Sequence, residues 1–195
     1  MHQAARHGDL HVLRVFARPL RQHAARGASL AGVELRSLDE EELVAWRRDP
    51  ELDLPEGMIR EVYRRGDRCL GALHGAALVG YVWFAYGFAP HVDGIWVKVP
   101  PRVVYRFKAF VRASYRGRGI APALYDAADP LIAKPGLDTV VDCIALQNQP
   151  SIAATLRSGS RPLGALGYWR VGSRLLSFHS PAVRRLGLRF YLATN

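Results

Sequence analysis

Lysine is almost missing from this chain. Of its 27 basic residues only Lys98, Lys108 and Lys134 are lysines, and arginine supplies the rest. Acids are scarce too, 17 against 27, leaving a net charge of +10 on 195 residues. Such an excess favours anionic partners, whether a polyphosphate co-substrate, a nucleic acid or an acidic membrane surface, and suits a merely basic solvated surface equally well. Cysteine is limited to Cys69 and Cys143, far apart and without ligand spacing. That excludes a disulfide scaffold and a thiolate metal site, so no metal is expected and a reduced, cytoplasmic setting is. Long apolar runs are lacking as well. The longest uncharged stretch, 75–90, falls short of the ~20 residues a spanning helix needs and holds glycines and β-favouring aromatics. It reads as buried strand, and no transmembrane segment is expected. The first residues lack the apolar core and cleavage site of a secretory signal.

What is present is ordinary globular composition, 49% apolar and 23% charged, at a length that favours one domain with its own core. Residues 1–30 read as a basic appendage to a domain spanning 31–195. Arg6, Arg14, Arg18, Arg21 and Arg26 face one acid, Asp9, and Leu10, Leu13, Val15, Phe16 and Leu20 fall on a rough helical stripe. Beyond it, 33–37 predicts a strand and 39–48 a helix, with Asp39 as N-cap and Glu42 completing a capping box. Asp49 before Pro50 ends that helix. A second helix is expected over 56–65, then strands at 68–74 and 77–86 around a turn at Gly75, and another at 94–99. Residues 103–113 read as strand, 116–129 as a loop opening into a helix that Pro130 kinks or breaks. Strand is expected at 138–146, helix at 150–158, and closing strands at 168–178 and 188–192. Strands and helices in this order predict a mixed α/β, or α+β, fold with a central sheet flanked by helices.

The chemistry concentrates in 111–148. A strand runs into Tyr115-Arg116-Gly117-Arg118-Gly119-Ile120-Ala121 and then a helix. Residues without bulk let backbone approach a ligand closely. The first helical turn leaves amide N–H groups without intrahelical partners, and with the helix dipole they make an anion site. Arg116 and Arg118 add charge, and Pro122 suits a first turn, where a missing N–H costs little. The segment is a pyrophosphate cradle on these grounds. It is not a P-loop, which needs Gly-Lys-Ser/Thr, nor a dinucleotide fingerprint, because Pro122 stands where the third glycine belongs.

Arg116-x-x-Gly119-x-Ala121 resembles the Arg/Gln-x-x-Gly-x-Gly/Ala motif of the GNAT superfamily of N-acyltransferases. Val111, the Tyr115-Arg116-Gly117 lead-in, Asn148-x-x-Ser151 after a strand, Gly167-Tyr168, and the hairpin with Val79-Gly80-Tyr81 are similar to the family's pattern over about 33–192. The resemblance implies a mixed sheet whose two middle parallel strands, here 103–113 and 138–146, splay apart. It implies acetyl-CoA or another acyl-CoA as co-substrate. The pantetheine arm would lie in the gap along the backbone near Val111 and Ala113. Arg116, Gly117, Arg118, Gly119, Ile120 and Ala121 would meet the pyrophosphate. Asn148 would contact pantetheine or order the following helix. The implied reaction is direct attack of an amine, from a small-molecule or peptide acceptor, on the thioester in a ternary complex.

Two parts of the family's proton machinery are missing. The tyrosine acid that many relatives carry seven positions after the Asn falls here on Thr155. The strand leading to the loop holds Arg106, Lys108 and Arg112 but no glutamate base. Residues 159–166 read as an insertion before the Gly-aromatic pair. Asp93, His91, Asp142, Cys143 and Tyr168 are the substitutes available. Asp142 or Asp93 is expected to order the water that deprotonates the amine, and Tyr168 or solvent to protonate the thiolate. Two other functions compete: a catalytically weak acyl-CoA-binding or regulatory module, and a basic nucleic-acid-binding protein, although no recognisable nucleic-acid motif is present. Assembly as a homodimer is left open.

Overall fold

The computed structural model describes residues 9–21, 30–92 and 94–192. In chain order the elements are β1 (Asp9–Pro19), β2 (Val33–Leu38), α1 (Glu40–Trp46), α2 (Glu56–Arg64), β3 (Arg68–His74), β4 (Ala77–Ala85), β5 (Phe88–Val92), β6 (Ile95–Lys98) and β7 (Val103–Val111). Then come α3 (Ile120–Ile132), β8 (Thr139–Ala145), α4 (Gln149–Arg157), β9 (Arg161–Val171), β10 (Arg174–His179), α5 (Pro181–Leu186) and β11 (Arg189–Leu192). An eight-stranded sheet runs β10-β9-β1-β8-β7-β4-β3-β2, and a smaller one runs β11-β6-β5. In the large sheet β7 and β8 pair parallel and the other neighbours antiparallel.

Both faces of the large sheet are covered. On one face α3 lays Ile120, Leu124, Tyr125, Ala128 and Ile132 against Val82, Phe84, Val104 and Val140. On the other, α1 and α2 bring Leu43, Ile59 and Val62 onto Tyr81 and Trp83. Beside them the small sheet and α5 pack on Val103, Tyr105, Val141 and Leu166. The capping box at α1 forms as its spacing predicts, with Glu42 N–H donating to Asp39 and Asp39 N–H to the Glu42 carboxylate.

The N-terminal segment corrects the sequence reading. Residues 9–19 are neither helical nor an appendage; β1 is inserted between β8 and β9, antiparallel to both. Because both faces of this strand are covered, Leu13 and Val15 are buried on one side and Phe16 on the other. That erases the period-2 alternation that identifies a half-buried strand. Arg18 is buried rather than solvated, its guanidinium donating two bonds of 2.6 Å to the Asp129 carboxylate, 111 residues away. The domain boundary at 31 therefore cuts through the sheet.

Three smaller differences follow from packing. Helix α3 continues through Pro130 to Ile132: the proline withholds one N–H, but buried Ala128, Asp129 and Ile132 hold the last turn. Residues 161–166, within the stretch read as an insertion, form the first half of β9, and 168–178 is a hairpin of β9 and β10. The uncharged stretch 75–90 turns a corner at Gly87, placing β4 and β5 in different sheets. No helix among the described residues is long and apolar enough to cross a membrane.

Candidate acyl-donor site

Strands β7 and β8 pair over four residues, from Val103 with Thr139 to Arg106 with Asp142. Each then continues without the other, β7 to Val111 on β4 and β8 to Ala145 on β1. A bulge accompanies the parting: β4 registers Trp83 with Lys108 but Phe84 with Arg106, so Phe107 is the extra residue and the strand bends there. The two strand edges facing the gap carry backbone N–H and C=O groups outside any ladder. Ala109, in the middle of an interior strand, is exposed for that reason.

The wide end of the gap leads into the cradle. After β7 the chain makes a 3-10 turn, Ala113–Tyr115, then passes Gly117 at φ +76° and Gly119 at φ +81° before α3 begins. Both values lie in the left-handed region that a side chain disfavours. Gly119 caps a 13-residue helix without a side-chain cap bond. The first helical bond there is Ala123 N–H to Gly119 C=O, 3.1 Å, so the Ile120 and Ala121 amides precede the ladder, and Pro122 has none to leave idle. Arg116, Gly117, Arg118 and Gly119 are exposed. The Arg118 guanidinium sits 5.0 Å from the centre of the Tyr115 ring, and the Tyr115 hydroxyl lies 2.9 Å from His74 Nδ1, which tethers the turn to the β3 hairpin.

Two backbone groups that the resemblance assigns to pantetheine are engaged by side chains. Ala113 N–H donates to Glu51 Oε1 at 3.1 Å, and Val111 C=O accepts from Arg116 Nε at 3.2 Å. Glu51 belongs to an acidic turn over the end of β7. Asp49 and Glu51 both bind the Arg112 guanidinium, and Asp53 accepts from Lys108 Nζ at 2.7 Å. The bond to Arg112 holds the Asp49 carboxyl below its usual range. Sequence reading passed over this turn; its signal was three acids in the five residues from Asp49 to Asp53. Asn148 is the N-cap of α4, its side chain accepting from Ser151 N–H at 3.2 Å, so of its two expected roles it performs helix ordering.

Of the expected proton-transfer residues, Asp142 and Tyr168 are not brought together. Asp142 lies at the closed end of the gap, on the face covered by α3 and α4, 3% exposed and bound to Arg106 Nε. Burial pushes its carboxyl above the usual range, against the opposing pull of Arg106. Tyr168 lies on the opposite face, its ring stacked on His11 at 4.8 Å and edge-on to His91 at 5.7 Å. Its buried hydroxyl has no partner among the described residues. Desolvation, helped by nearby His11, lowers His91 to about 4. Cys143 is half-buried against the Tyr105 core cluster, and Asp93 lies outside the described residues. Among the described residues no three His, Cys, Asp or Glu side chains gather as a metal would require.

A sequence model of the Acetyltransferase (GNAT) family matches residues 33–159. No curated protein matches the chain. Among solved structures, a GCN5-related N-acetyltransferase from Sphaerobacter thermophilus is 17% identical with a TM-score of 0.57, over 87% of this chain and 52% of that one. A GNAT-family acetyltransferase from Colwellia psychrerythraea is 15% identical with a TM-score of 0.52, over 88% and 57%. AAC(6')-Ib, in complex with ribostamycin and coenzyme A, is 15% identical with a TM-score of 0.51, over 79% and 97%. At these identities the likeness is one of fold. This chain spans little more than half the length of the first two.

Proposed function

The chain belongs to the acetyltransferase (GNAT) family, and from that premise we propose that it transfers an acyl group, acetyl first of all, from acyl-coenzyme A to an amine by direct attack in a ternary complex. The observation that carries this reading is the gap: four parallel pairs, two unpaired strand edges, and an uncapped helix N-terminus at the end of β7.

The residues present fit such a donor. The amides from Gly117 to Ala121 and the α3 dipole would hold the pyrophosphate, with Arg116 and Arg118 adding charge. Backbone at Val111 and Ala113 would hold the pantetheine arm as an added strand. The donor supplies an activated carbonyl, and an amide of β7 near Val111 can stabilise the oxyanion. Asp142 is buried and clamped by Arg106, which withdraws it from the role of base. Of the two aspartates, Asp93 is left to act on the amine through water.

Coenzyme A and acetyl-CoA should bind with micromolar affinity, about 8 kcal/mol. Calorimetry giving no heat, and no thermal shift at millimolar ligand, would sink the reading. Thiol release with a broad panel of amines, aminoglycosides among them, then separates catalysis from binding. A second reading, an acyl-CoA-binding module of weak activity, is favoured by the engagement of Ala113 N–H and Val111 C=O. Donor binding without thiol release for any amine would select it.

A further inference from the structure

Along β1, β9 and β10 every second side chain enters the same core: Leu13, Val15, Leu166, Tyr168 and Leu175 belong to one cluster. The residues between them share the opposite face. Cross-strand register sets those residues in rows. Leu10, Trp169 and Leu176 lie side by side, and Val12, Gly167 and Phe178 form the next row. Val171 with Arg174 makes the row before them, and Arg14 with Ala165 the row after. Helix α4 covers this face only farther on, where Ile152 packs with Phe16 and Ile144. Leu10, Trp169, Val171, Leu176 and Phe178 are left 38–63% exposed. They are five of the ten large apolar side chains exposed among the described residues, and one face of three strands collects them.

Gly167 keeps this face flat. An added Cβ there would collide with the Phe178 ring and come within 2.5 Å of the His11 carbonyl oxygen, so Phe178 lies across the glycine. Four rows on three strands extend about 20 Å by about 14 Å. That is the size of the apolar core of a stable interface, which with its rim buries ~800 Å² per partner. The face carries Arg14 and Arg174 but no lysine and no acid. Tryptophan, phenylalanine and arginine without lysine or acids is the make-up of a protein interface, and homodimer interfaces are the most apolar of these. The rest of the sequence offers no cover. Met1 is the only large apolar residue in 1–8, 22–29 and 193–195.

We propose that this face joins two copies of the chain, packed sheet on sheet about a two-fold axis. A flat sheet face is best matched by another flat face ~10 Å away. A two-fold contact also requires a surface that tolerates itself. Arg14 and Arg174 satisfy that requirement, because they sit on different strands and three rows apart. With the strands of the two copies aligned, arginine does not fall on arginine. The contact lies on the β10 side of the sheet, away from the gap between β7 and β8, and does not depend on the acyl-donor reading.

The test is the oligomeric state of the full chain, by sedimentation velocity between about 1 and 100 µM. The mass should rise to twice 21.7 kDa across that range. Trp169→Glu with Leu176→Glu should sediment as a monomer throughout, a loss of at least about a hundredfold in dimer affinity, with thermal melts confirming that it folds. Should that variant fail to fold, Leu10→Glu, on another strand of the same face, decides. Leu131→Glu, exposed on α3 and outside the face, should leave the dimer intact. A wild-type chain still monomeric at the highest concentration, or a dimer that the face variants leave unchanged, overturns the proposal. So does a monomer that pellets with vesicles of anionic phospholipid, which would assign the face to a membrane.

Discussion

Gly119 connects backbone conformation to ligand binding most directly. At φ +81° a side chain is strained by about 1–3 kcal/mol wherever its atoms go. Among the described residues a Cβ there would meet only Leu30 Cδ2, at 3.8 Å, so these neighbours do not block Gly119→Val. The variant should fold with a lowered melting temperature and lose at least tenfold in coenzyme A affinity by calorimetry, because the methyls take the anion's space. Unchanged affinity in the folded variant would show that the glycine serves only the turn. Glu51 predicts the opposite sign. Its carboxylate occupies the Ala113 N–H that the proposed donor arm would use. Freeing that donor should tighten coenzyme A binding in Glu51→Ala, about fivefold for a bond worth ~1 kcal/mol. Weaker binding would mean that the turn supports the donor instead of competing with it. His91 sets a pH response. Its pKa is depressed to about 4 in the fold against an ordinary 6.5, so between these the unfolded chain binds more protons. Stability present above pH 6.5 should fall as the pH drops toward 4, and His91→Gln should flatten the change in melting temperature across that window.

Strand β1 is the element on which the sheet depends. It pairs with β8 from Leu13 to Pro19 and with β9 from Asp9 to Ala17, so removing it leaves two interior edges unpaired and Asp129 buried without Arg18. Breaking a buried pair from one side typically costs about 3–5 kcal/mol. A chain beginning at Ala31 is therefore expected to be insoluble or to lose cooperative unfolding, as judged by gel filtration and thermal melts. A soluble truncation with a sharp transition would show that β8 and β9 can close on each other. Helix α3 has a different division of labour. Its N-terminal turn is bare of side-chain caps, as the proposed donor site requires, and its last turns are pinned by Asp129 and Ile132. That pinning is why Pro130 does not end it.

At the scale of the molecule, the proposed function depends on one sheet that fails to close. The large sheet is continuous from β10 to β2 except where β7 and β8 separate, and α3 begins where the opening is widest. The basic excess is distributed between two tasks. Arg116 and Arg118 stay exposed at the cradle, whereas Arg18 and Arg106 are buried with Asp129 and Asp142. Net charge alone cannot make that distinction, and it is why a charge of +10 says little about nucleic acid here.

Local chemistry was legible in the residues themselves. The capping box at Asp39 and Glu42, the turn at Gly75 and the strand–Arg-Gly-Arg-Gly–helix cradle depend on neighbours a few positions apart, so spacing reveals them. The fold class and the family resemblance rest on the same local order. What escaped depends on partners distant in sequence. The helical stripe read in residues 10–20 is a strand because β8 and β9 cover both its edges, and no property of that segment reports their presence. Asp142 looked like a base until Arg106, 36 residues away, was found bonded to it. Sequence by itself determined the strand, the two-glycine loop and the helix start at which donor docking is proposed, because that order depends on neighbours a few positions apart. Only the tertiary structure decided which charged groups are free to act, because burial and pairing are set by segments that meet only when the sheet assembles.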